Sequence, residues 1–136
     1  MLKKIILAGL MVFAGINTAV YSVTEIKDKA QFDGIIAKEK CVVVKFYSKT
    51  CTVCSAMLPI FEAEEKKYEG KCSFLKVEVG EVPDVSEACG ASGSTCKVTA
   101  VPMFVFFKDG KKLDKTVVGR VSEYEFAKEV KEACGF

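Results

Sequence analysis

Cys41-Val42-Val43-Val44-Lys45-Phe46-Tyr47 is the stretch that most narrows what this chain can fold into. It is β-branched and nearly all apolar, the pattern of a strand buried on both faces in a parallel sheet. The loop Ser48-Lys49-Thr50 follows, and then a helical pattern from about Cys51 to Tyr68, with Cys54, Met57, Leu58 and Phe61 on one face. Pro59 falls inside that helix and predicts a kink. A buried strand feeding a long helix is half of a βαβ unit, so an α/β chain with helices on both faces of a sheet is expected.

The rest of the chain extends this alternation. Val23-Thr24-Glu25-Ile26 reads as a short first strand. Asp28 with Gln31 forms a capping box ahead of Phe32, Ile35 and Ile36. Cys72 to Val79 is a further apolar strand, Pro83 to Cys89 a short helix, and residues 90–95 a Gly/Ser loop. Asp109-Gly110 between Met103–Phe107 and Lys112–Val118 is a hairpin signal, because both residues tolerate positive φ. Ser122 with Glu125 caps a last helix bearing Phe126, Val130 and Cys134. The predicted order is β-α-β-α-β-α-β-β-α, in one domain without internal repeats.

The N-terminal segment has the marks of a signal peptide. Lys3 and Lys4 precede an apolar run from Ile5 to Ile16, and small residues at Ala19 and Ser22 suit a peptidase. We expect residues 1–19 to be a signal peptide cleaved after Ala19 and residues 20–136 to be the mature domain. The run is short for a spanning helix, which needs about 20 residues. Extension to Val23 reaches a marginal length and keeps an uncleaved anchor as the alternative. Cleavage removes two of the 20 basic residues and leaves 18 against 18 acidic ones. A neutral domain has no general attraction for nucleic acid or an anionic membrane. The signal segment makes the expected location secreted, periplasmic or endomembrane-luminal.

Cys51-Thr52-Val53-Cys54 carries the candidate chemistry. It sits where a buried strand meets a helix N-terminus, whose free N–H groups and dipole favour a thiolate. A thiolate is the attacking species in disulfide exchange. The spacing lets Cys54 reach the Cys51 sulfur, so Cys51 is the candidate nucleophile and Cys54 the resolving thiol. A zinc half-site or a structural bridge is the rival, but zinc needs four ligands, and the remaining cysteines are isolated singles along the chain. The chain has no His, which removes the commonest neutral metal ligand. No metal and no dissociable cofactor are expected.

On these residues the sequence resembles the thioredoxin family, from Val23 to about Cys134. Val42-Val43-Val44-Lys45-Phe46 leads into the Cys51/Cys54 motif, and Pro59 stands at the family's helix-kinking proline. Val101-Pro102 is similar to the cis-proline segment, Phe107-Lys108-Asp109-Gly110-Lys111 to the closing hairpin, and Val118-Gly119 to the end of the last strand. The resemblance implies a thioredoxin-like fold, a central mixed five-stranded sheet flanked by four helices. It also implies a cis Pro102 facing Cys51, with the Val101 backbone pairing to an extended substrate. Thr50, Val101 and Pro102 are thus the candidate substrate-binding residues.

The departures are informative. Thr50 replaces the family's Trp and Thr52-Val53 its Gly-Pro, so a more oxidising potential is expected. Lys45 stands where the family has a buried carboxylate. It can stabilise thiolates while charged, serve as a base when neutral, or extend to water and do neither.

Seven cysteines leave at least one outside intramolecular pairs. The family's strand order makes the strands opened by Cys41 and Cys72 parallel neighbours, so a Cys41–Cys72 bridge is expected, with two buried thiols as the alternative. Cys89–Cys96 is the expected clip of the Gly/Ser loop, or else a second redox pair. Cys134 is expected to be a buried free thiol in a monomer, or an intermolecular bridge in a dimer.

The functional expectation is a thiol–disulfide oxidoreductase acting on protein thiols and disulfides outside the cytoplasm, renewed by a redox recycling partner. A thioredoxin-fold binding or chaperone module, and an anchored member of a membrane redox relay, are the rivals.

Overall fold

The computed structural model describes residues 23–91 and 96–136. The elements run β1 (Thr24–Glu25), α1 (Lys29–Lys38), β2 (Cys41–Tyr47), α2 (Thr52–Lys67), β3 (Ser73–Glu78), α3 (Pro83–Ser86), β4 (Met103–Lys108), β5 (Lys111–Val118) and α4 (Glu123–Cys134). The five strands form one sheet in the order β1-β3-β2-β4-β5. β1, β3 and β2 pair in parallel, whereas β4 runs antiparallel to β2 and to β5. This is the thioredoxin-like fold, a mixed five-stranded sheet with four helices. The expected signal segment, residues 1–19, lies outside the described residues.

β2 is central because its side chains are apolar on both faces. Val42, Val44 and Phe46 enter one core with Phe32 and Ile36 of α1 and Val85 of α3. Cys41 and Val43 enter the other with Met57 and Phe61 of α2 and Phe126 and Val130 of α4. On that second face, the rings of Phe104 and Phe126 lie 4.7 Å apart and tilted, an attractive aromatic geometry.

Local chemistry sets the element ends. Asp28 accepts from the Gln31 N–H at 2.7 Å, and the Gln31 amide accepts from the Lys27 N–H, one residue earlier than a strict capping box. Ser122 and Glu125 form the full reciprocal box of α4. α3 stops at Ser86, short of the predicted Cys89, because Cys89 and Gly90 both adopt positive φ. A Cβ at Gly90 would also lie 2.4 Å from the Phe32 ring. Asp109 and Gly110 have positive φ and turn the β4–β5 hairpin. Among the described residues, no helix is long and apolar enough to cross a membrane.

Candidate active site

Cys51 caps α2. Its sulfur accepts from the Cys54 N–H at 3.1 Å, so a free amide of the first turn points at it. Cys51 and Cys54 are joined as a disulfide with Cα atoms 5.2 Å apart. Cys51 is half-buried at the surface, while Cys54 is 2 % exposed. The positive end of a 16-residue helix thus meets the more accessible sulfur.

The opposing wall comes from the segment before β4. The Val101–Pro102 peptide is cis, and the Cys51 sulfur lies 3.7 Å from the Val101 carbonyl oxygen. The Gly119 N–H bonds the Pro102 carbonyl at 2.8 Å and ties this segment to the end of β5. Val101 is half-buried and Pro102 buried, whereas Thr50 is exposed beside Cys51. A groove of about 760 Å³ runs from Val101 along residues 97–100 to Val79 and Pro83.

Lys45 does not extend to water. It is 3 % exposed, and its Nζ donates to the Cys54 carbonyl at 2.7 Å. Burial lowers its pKa to about 8, helped by the positive charge of Lys76 and opposed by Glu62. The parallel register explains the second cause, because Lys45 and Lys76 are direct partners across β2 and β3. The Tyr47 hydroxyl donates to Glu25 at 2.8 Å, and Lys76 pairs with the same carboxylate at 3.4 Å. Burial, then the Glu25 bond, raises the Tyr47 pKa. Sequence reasoning missed Tyr47, Lys76 and Glu25. The signal available was strand register, which sets lysine beside lysine.

The remaining cysteines correct part of the expected pairing. Cys41 bonds Cys134, not Cys72. The strands are parallel neighbours, with Val42 opposite Ser73, so Cys41 and Cys72 lie nearly side by side. Their Cβ bonds then project in parallel from one face rather than toward each other, and a bridge needs converging Cβ atoms. α4 packs on that face and aims Cys134 down at the sheet. Cys134 is therefore neither the free thiol nor the intermolecular bridge expected of it, and Cys72 is the free cysteine. Cys89 and Cys96 form a bridge.

A half-exposed sulfur at a helix N-terminus, a buried partner one turn in and a facing cis-proline segment form an arrangement capable of thiol–disulfide exchange. Comparison agrees: the thioredoxin family model matches residues 23–132. The chain belongs to the thioredoxin family. It is 40% identical over 100 residues to the H-type thioredoxin of Chlamydomonas reinhardtii, covering 71% of this chain and 82% of that one. It is 35% identical to thioredoxin-1 of Saccharomyces cerevisiae, covering 70% and 84%. Among solved structures, the thioredoxin of Malassezia sympodialis superposes with a TM-score of 0.70 at 31% identity, covering 83% of this chain and 91% of that one. As a thioredoxin-family protein, the chain is a protein-disulfide oxidoreductase whose partners are protein thiols and disulfides.

Proposed function

We propose that Cys51 is the nucleophile and Cys54 the resolving thiol, acting outside the cytoplasm on extended protein segments laid against Val101 and Pro102. One observation carries the assignment: the Cys51 sulfur caps α2 and stands 3.7 Å from the Val101 carbonyl oxygen. In the reducing direction, the Cys51 thiolate attacks a substrate disulfide. A Cys51–substrate bond forms, the substrate bond breaks, and the departing sulfur takes a proton. Cys54 then attacks Cys51, restores the intramolecular bridge and releases the second substrate thiol. Two electrons pass to the substrate, and an external dithiol returns them. The reverse sequence oxidises a substrate dithiol.

Lys45 is the positioning residue. As an ammonium it favours negative charge on Cys54 through the first turn of α2, and with a pKa near 8 it loses that charge in mildly alkaline solution. Thr50 and the residues of the groove beside Val101 supply the docking surface. Absence of Trp and of Gly-Pro around the cysteines supports a reduction potential above the roughly −270 mV of thioredoxin.

Insulin-disulfide reduction tests the assignment. Cys51→Ser is expected to fall to the uncatalysed rate; wild-type turnover by that variant would leave a binding or chaperone module instead. The basic start, apolar run and Ala19 support export. N-terminal sequencing of the exported chain is expected to start at Val20, and an intact Met1 would exclude cleavage.

A further inference from the structure

At the N-terminal end of β2, far along the strand from Cys51, three sulfurs converge. Cys41 opens β2, Cys72 immediately precedes β3, and Cys134 ends α4. Their sulfur atoms all lie within 4.8 Å of one another, and the residues are 4 %, 5 % and 7 % exposed. Cys41 and Cys134 are bridged, and the Cys72 sulfur lies 2.8 Å from that of Cys134. By spacing alone these are isolated singles. The fold gathers them, so wide spacing along the chain does not exclude a metal site there.

We propose that, once the Cys41–Cys134 bridge is reduced, Cys41, Cys72 and Cys134 form a three-thiolate site for a soft monovalent cation of the Cu(I) class. Reduction takes two electrons from an external dithiol, which becomes a disulfide, while Cys41 and Cys134 each gain a proton. Binding then moves no electrons. Three metal–sulfur bonds form, and three thiol protons leave to solvent.

Ligand number selects the ion. Thiolates suit Cu(I), zinc and iron–sulfur clusters. Structural zinc is almost always four-coordinate, and clusters take four cysteines. The chain has no His, and among the described residues no carboxylate oxygen joins the three sulfurs. Charge agrees. Three thiolates with one monovalent cation carry two net negative charges. The groove that opens onto Cys41 and Cys134 is lined by Lys38, Lys40, Lys71 and Lys108 against Glu39 and Asp109, an excess of two positive charges.

The test uses the full chain carrying Cys51→Ser and Cys54→Ser, which removes the other close thiol pair on α2. Reduced with a phosphine and titrated with Cu(I) buffered by bicinchoninate, it is expected to bind one ion per chain. X-ray absorption should count three sulfur neighbours. The same chain before reduction should take up none, and adding Cys72→Ser should weaken binding by more than about tenfold, the cost of losing even an outer-shell partner. No uptake after reduction, equal uptake before it, or two sulfur neighbours would overturn the proposal. Because the coordination number is read with all three cysteines intact, the result does not depend on how Cys72→Ser folds.

Discussion

The two ends of strand β2 carry the same element in opposite settings. At its C-terminal end, Cys51 is half-exposed, caps a helix and faces a groove beside Val101. At its N-terminal end, Cys41, Cys72 and Cys134 are buried, and burial pushes the Cys72 thiol up to about 11. Thiol chemistry in this molecule is thus assigned by surroundings. A helix N-terminus and access to solvent favour a thiolate at one end, while desolvation keeps the thiol protonated at the other.

The largest expected contrast between the ends is in stability. Cys41–Cys134 joins residues 93 apart, Cys51–Cys54 residues 3 apart. Loop-closure entropy makes the first worth about 4–5 kcal/mol and the second roughly 2. Denaturant unfolding of Cys134→Ala should show the larger loss, and selective reduction of Cys51–Cys54 the smaller. Equal losses would break the division into a structural and an exchangeable bridge.

Lys45 gives the next effect. Its pKa is about 8 in the folded chain against an ordinary 10.5. Between those values the folded state binds fewer protons than the unfolded one, so wild-type stability rises with pH across that window. Below pH 8 the full penalty of a buried ammonium is present. The stability advantage of Lys45→Met over wild type is expected to shrink by on the order of 3 kcal/mol from pH 8 to 10.5. A flat difference would mean that Lys45 is not desolvated.

Slightly smaller is the reactivity contrast at Cys72. With a pKa near 11, its thiolate is scarce at pH 8. Iodoacetamide labelling, followed by mass spectrometry, should be on the order of a hundredfold slower in the native chain than in denaturant. Comparable rates would show that the N-terminal end of β2 opens readily. The smallest effect concerns α4, which delivers Cys134. Ser122→Ala removes its capping box and should cost about 1 kcal/mol in denaturant unfolding. The pH dependence of insulin reduction should stay unchanged, because α4 does not reach Cys51.

What was legible in the sequence follows the range of the interaction concerned. The β2 run, the capping residues and Asp109-Gly110 act over a few neighbours, and they name the element order. The Cys51/Cys54 motif is local too, since strand, turn and helix start are contiguous. Lys45 was legible as a departure, but part of its lowered pKa comes from register with Lys76, a partner on another strand. The bridge from Cys41 needed the packing of α4 on the sheet, which no local pattern encodes. The early end of α3 turned on the backbone of Cys89, where a non-glycine residue takes positive φ.

The Cys41–Cys134 bond also changes what a break in the backbone does. It closes the chain from β2 to the end of α4 into a covalent ring, leaving among the described residues only 23–40, which hold β1 and α1, and the final Gly135 and Phe136 outside it. The exposed Asp109–Gly110 turn lies within that ring. A protease that nicks it opens the ring but releases no fragment, and both pieces stay on one molecule until a reductant reaches the buried sulfurs.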